Sequence, residues 1–158
     1  MMCTAEFPRL NACLTDYLRE IVCKCPNCAS KALIRADSKY AMPWDPFDVS
    51  FVCPNCTFHH GWPAPSWKSD FHAFNLSNTI EPYFGYSLWA SETVSQNVIG
   101  ILNLQHANDL SLFISATDRP RPENSKWAMV SRLPRWMLLA KNRDRVLRAI
   151  RNATQKLH

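Results

Sequence analysis

The sequence predicts an α+β protein, and three observations carry that expectation. The tetrapeptide Cys-Pro-Asn-Cys occurs twice, at 25–28 and 53–56, and short strand-like runs flank both copies. Beyond residue 103 the apolar residues recur every three or four positions, the period of a helix. The chain has 158 residues, 47% of them hydrophobic, which suits one domain or one domain with a small appended module. Only 3 glycines are present, which excludes the glycine-rich phosphate loops of dinucleotide- and nucleotide-binding folds.

The cysteine spacing is C-x2-C-x24-C-x2-C. A C-x2-C turn curls tightly enough for two thiolates to reach one ion. Two such knuckles complete a tetrahedron, the pattern of a zinc ribbon with a spacer longer than the usual ~15–20 residues. Cys25, Cys28, Cys53 and Cys56 are the expected ligands of one structural Zn2+, and Cys23 is the reserve for Cys25. A closed four-thiolate site has no open position for water or substrate. Zinc and four thiolates together add −2 to the formal charge of +5. Cys3 and Cys13 read as incidental thiols or small buried hydrophobes. Knuckles of this kind are commonly followed by glycine. Here Ala29 and Thr57 follow, and less regular turns are expected.

The chain then divides as residues 1–22, an N-terminal helix; 23–62, the zinc ribbon; and 63–158, an α+β region ending in a basic helical tail. Leu10, Cys13, Leu14, Tyr17, Leu18 and Ile21 recur at helical spacing, so residues 10–22 are expected to be helical. Residues 31–36, 49–52 and 58–62 read as ribbon strands, with 37–47 as an insertion at the tip. Residues 82–90 and 98–102 read as the two strands of the small antiparallel sheet. Asn103 is placed to cap a helix of about fourteen residues, with Leu104, Ala107, Leu110, Phe113 and Ile114 on its apolar face. In the tail, Ser125 is expected to cap residues 126–132 and Pro134 to open a second segment. Asn142 is expected to cap a third, with Val146, Leu147, Ile150 and Ala153 on one face.

Charge is unevenly spread. Residues 1–117 hold 7 basic and 10 acidic side chains, whereas residues 118–158 hold 11 and 3. A basic tail can meet phosphate or an acidic protein face. Trp44, Trp62 and Trp67 fall in proline-rich, loop-like sequence, where aromatic side chains serve as interface anchors. These tryptophans and Arg143, Arg145 and Arg148 are the candidate partner-binding residues.

No catalytic motif is present, and the histidines offer little. His59 and His60 read as strand residues, and His106 is expected to pair locally with Asp109. The expected function is therefore non-catalytic binding of a protein partner, as a regulator, an adaptor or a toxin-neutralising immunity protein. The alternative is a nucleic-acid-binding zinc-ribbon protein that uses the tail. Neither a secretory signal nor a membrane-spanning run is visible, so the cytoplasm is expected.

Ser131-Arg132-Leu133-Pro134-Arg135-Trp136, Ala140-Lys141-Asn142-Arg143 and Val146-Leu147-Arg148-Ala149-Ile150 form a distinctive tail. With Pro82-Tyr83-Phe84-Gly85, Leu88-Trp89 and the ribbon, they resemble a family of uncharacterised bacterial zinc-ribbon-like proteins. The resemblance covers residues 23–153. It implies a bacterial, intracellular, zinc-stabilised protein and no established activity. Relatives often carry an adjacent cysteine pair after the Leu-Trp strand. Residues 92–97 here have none, so no second metal site is implied.

Overall fold

The computed structural model describes residues 12–38, 46–63, 79–122 and 128–158. Four strands form one antiparallel sheet in chain order: β1 (Glu20–Lys24), β2 (Lys31–Ser38), β3 (Pro46–Val52) and β4 (His59–Pro63). The expected zinc-ribbon-like α+β architecture is present. One knuckle joins β1 to β2 and the other joins β3 to β4, so both lie at the same end of the sheet. Register follows burial. Ile21 faces Ile34, which faces Phe51, and all three are buried.

Residues 12–22 are not a helix. A single 3-10 turn, Leu14–Tyr17, leads into β1. Within β1 the buried residues are Ile21 and Cys23, which alternate with a period of two. The knuckle at Cys25 requires a strand on each side, and that requirement overrides the helical spacing. Cys13 forms an isolated bridge with Ala128, tying this turn to the tail.

The outer edge of β1 is covered. Val22 N–H donates to Leu102 O (2.9 Å), Lys24 N–H to Ser87 O (2.8 Å) and Trp89 N–H to Val22 O (3.1 Å). The second sheet is a hairpin of β5 (Ala90–Val94) and β6 (Asn97–Ile101). The strand expected over 82–90 is therefore displaced. Residues 82–84 form a turn, and Ser87 and Leu88 make isolated bridges, to Ile80 and Cys23, before β5 begins. Glu81 explains the turn. Its buried carboxylate accepts from the backbone N–H groups of Tyr83 (2.6 Å), Phe84 (2.9 Å) and Tyr86 (2.7 Å). Gly85, at φ +78°, completes it.

Helix α1 (Leu104–Ser115) starts at Asn103 as expected, whose Oδ1 accepts from His106 N–H (2.9 Å). The Asn103 side-chain amide also donates to Tyr17 O (2.8 Å) and Glu20 O (2.6 Å), which fixes the helix start against β1. Ala107, Leu110, Phe113 and Ile114 are buried, but Leu104 is exposed and His106 takes a core position instead. At the other end, Arg119 donates to Phe113 O, Ile114 O and Leu138 O at 2.9–3.1 Å. This planar fork satisfies carbonyls left over at the helix end.

A 3-10 turn (Met129–Arg132) and a short helix α2 (Arg135–Leu138) precede α3 (Arg143–Leu157). Of the helix expected over 126–132, residues 128–132 hold only that turn, and Ser125 to Trp127 lie outside the described residues. Pro134 stands immediately before α2. Asn142 does not cap α3 with its side chain, because its amide donates to Trp136 O (2.8 Å). Val146, Ala149, Ile150, Ala153 and Leu157 are buried, and α3 packs on α1 and β5. Lys31 of β2 reaches the carbonyls of Leu157 and His158 (3.3 and 3.4 Å), placing a cation at the C-terminal end of α3. Among the described residues, no helix is long and apolar enough to cross a membrane.

Candidate metal centre

The two knuckles bring Cys25, Cys28, Cys53 and Cys56 together, with all four sulfurs within 4.8 Å of one another. Cys25 and Cys56 Sγ are 3.7 Å apart, and Cys28 and Cys53 Sγ are 3.5 Å apart. A tetrahedral Zn2+ with bonds of about 2.3 Å needs sulfur–sulfur edges of about 3.8 Å. Four soft sulfur donors at this separation fit such an ion. Cys23 is not part of the group. It is buried in β1, facing Ala32 on one side and bridged to Leu88 on the other. Burial and then Glu81 push its thiol up to about 12.

The knuckles are alike, contrary to the irregularity expected from the missing glycines. Ala29 N–H donates to Cys25 O (2.9 Å) and Thr57 N–H to Cys53 O (3.0 Å). Cys25 N–H donates to Ser30 O and Cys53 N–H to Phe58 O, at 2.8 and 2.9 Å. Ala29 and Thr57 both sit at φ 62°. The left-handed turn is thus adopted even by residues with a Cβ.

The asparagines were not foreseen as site residues. The side-chain amide of Asn27 donates to Cys56 Sγ and that of Asn55 to Cys28 Sγ, each at 3.5 Å. Each therefore crosses to the other knuckle. The Asn55 amide, with Ser30, holds the Cys28 thiol down at about 5, and the Asn27 amide lowers that of Cys56. Beside the centre, Phe51 makes edge contacts with Phe58 and Tyr86 (ring centroids 5.7 and 5.2 Å), and Phe84 stacks on Tyr86. Glu81 thus shapes a turn that supplies aromatic packing to the ribbon. Burial pushes its carboxyl up, and backbone amides oppose that. A lone glutamate before Pro82 in an otherwise apolar run was the available signal.

Among the described residues no histidine joins the sulfur group. His59 is exposed, and its Nδ1 lies 3.0 Å from Thr57 O. His106 is fully buried and does not pair with Asp109. Its Nδ1 accepts from Leu102 N–H (3.1 Å), and Asp109 receives Tyr17 Oη–H (2.7 Å) and Gln105 (2.9 Å) instead. Burial lowers the His106 pKa to about 3, so the ring is neutral.

Trp44, Trp67 and the side chain of Trp62 lie outside the described residues. The backbone of Trp62 belongs to β4, opposite Val49. Arg145 and Arg148 are exposed on α3, and Arg145 reaches Ser95 Oγ (3.3 Å). Arg143 is half-buried, and its buried Nε has no hydrogen-bond partner among the described residues, which removes it from the outer face. Comparison with known proteins gave no match to a family model, a curated protein or a solved structure.

Proposed function

We propose that this chain is a non-catalytic, zinc-stapled binding protein of bacterial, cytoplasmic origin that presents its surface to a protein partner. The observation that carries the reading is the closed donor set. All four positions around an ion at the sulfurs are taken by cysteine, so the metal holds the scaffold and has no place for a substrate. Among the described residues no histidine joins the sulfur group, and the buried His106 is neutral in the core.

A protein partner is favoured over nucleic acid because several tail cations are already engaged. Arg119 holds three carbonyls, and Lys156 pairs with Glu92 and Ser91 O. Exposed apolar side chains, among them Val52, Leu104 and Leu112, are available to a protein surface. A regulator, an adaptor or a toxin-neutralising immunity protein would each use such a scaffold.

One observation supports the nucleic-acid alternative. A groove of about 440 Å³ between α1 and α3 is lined by Asn108, Ser111, Arg151, Thr154, Gln155 and His158, with no acidic side chain. Titration of the zinc-loaded chain with single- and double-stranded DNA and RNA at low salt separates the readings. Protein binding predicts no affinity. Binding that falls steeply with added salt would transfer the function to the tail. A partner isolated with the chain should rebind it as two purified components. Replacement of Trp44, Trp62 and Trp67 with alanine should weaken that complex.

A further inference from the structure

The structure assigns Asn27 and Asn55 as positioning residues that lock each cysteine knuckle to the other; the inference rests on the metal reading. The pattern is reciprocal. Asn27 donates its backbone N–H to Cys25 Sγ (3.4 Å) and its side-chain amide to Cys56 Sγ (3.5 Å). Those two sulfurs are 3.7 Å apart and come from different knuckles. Asn55 mirrors the side-chain bond, its amide donating to Cys28 Sγ (3.5 Å), which lies 3.5 Å from the Cys53 sulfur of Asn55's own knuckle. Each asparagine side chain therefore reaches from its own hairpin to a sulfur of the other.

Two physical consequences follow. Four thiolates crowded together repel one another, and each donated N–H stabilises the negative sulfur it reaches. Cys28 and Cys56 are the half-buried sulfurs, whereas Cys25 and Cys53 are buried. The side-chain amides thus go to the two thiolates open to water and electrophiles, and a thiolate holding a hydrogen bond is the weaker nucleophile. This explains why asparagine recurs at the third position of both tetrapeptides. A turn preference alone would be met equally by aspartate or serine.

The test uses the full chain loaded with Zn2+ or Co2+. Asn27→Ala with Asn55→Ala is expected to weaken Zn2+ retention against a competing chelator by about 10- to 100-fold. Asn27→Asp with Asn55→Asp keeps size and turn preference but offers only acceptors, and is expected to retain Zn2+ less well than the alanine pair. In the Co2+ form both pairs should move the thiolate-to-metal charge-transfer band to lower energy. Single variants give a residue-specific readout. Alkylation mapped by mass spectrometry should rise first at Cys56 in Asn27→Ala and at Cys28 in Asn55→Ala. These singles also serve if a double variant does not fold. Retention unchanged in the pairs, or aspartate outperforming alanine with an unmoved band, would overturn the assignment while leaving the metal reading intact. An unaltered chain that takes up neither ion would overturn the metal reading and this assignment together.

Discussion

Strands β1–β4 converge on four sulfurs within 4.8 Å of one another, each supplied by a knuckle only four residues long. Helices α1 and α3 pack together without any such centre, and Leu110, Ile114, Val146 and Ile150 are buried there. In the first region a metal at these sulfurs would add a few strong ligand bonds to the buried row of Ile21, Ile34 and Phe51. In the second, many weak contacts sum over buried area. The difference teaches where each half is vulnerable. The ribbon should respond to metal and to thiol chemistry, and the helical half to side-chain volume.

The largest expected effect breaks the ribbon. Cys25→Ser with Cys53→Ser should abolish metal uptake, measured by elemental analysis. It removes metal-linked folding free energy on the order of 10 kcal/mol. Hydrogen exchange should then show β2–β4 amides losing protection before those of α1 and α3. A metal-free double variant with an undiminished melting temperature would contradict the staple. The complementary change is Ile114→Ala, which empties a fully buried site in the helical half. It should cost about 2–5 kcal/mol by denaturant unfolding, and the folded fraction should still bind metal. Loss of metal affinity in the folded state would mean that the two regions are coupled more tightly than their separate means of support imply.

His106 supplies a pH test of the helical core. Its folded pKa of about 3 lies below the ordinary 6.5. Between those values the unfolded chain binds a proton that the folded chain refuses. Its contribution is thus fully present above 6.5 and is lost as the pH falls toward 3. The slope approaches about 1.4 kcal/mol per pH unit. His106→Gln should flatten stability against pH over that window relative to the unaltered chain, read from urea midpoints. Parallel curves would show that His106 is not the responsible group. The smallest effect returns to the knuckles. Ala29→Gly and Thr57→Gly relieve a left-handed backbone at φ 62°, and each should stabilise the holo protein by about 1 kcal/mol. Destabilisation by glycine would show that the turns carry no such strain.

Much of the candidate site was legible. Repetition of Cys-Pro-Asn-Cys singled out Cys25 over Cys23, and the sulfur cluster agrees. The strand–knuckle–strand order followed from what two thiolates on one ion require. What misled was periodicity over short stretches. Leu14, Tyr17, Leu18 and Ile21 fit a helical spacing, yet Ile21 and Cys23 are the inward residues of a strand. The apolar run over 82–90 resembled a strand, but buried Glu81 gathers its backbone amides into a turn.

By itself, then, the sequence determined the features whose physics is local. Two cysteines three residues apart curl into a tight knuckle, Asn103 opens α1, and an amphipathic repeat makes α3. The tertiary structure alone decided the features that need a distant partner. Asn27 and Asn55 became cross-braces because two hairpins meet at one end of a sheet. Arg119 became the clasp between α1 and Leu138, and Lys31 the cation at the end of α3. Charge and amide groups are satisfied by whatever folding brings near them, and no local spacing records that neighbour.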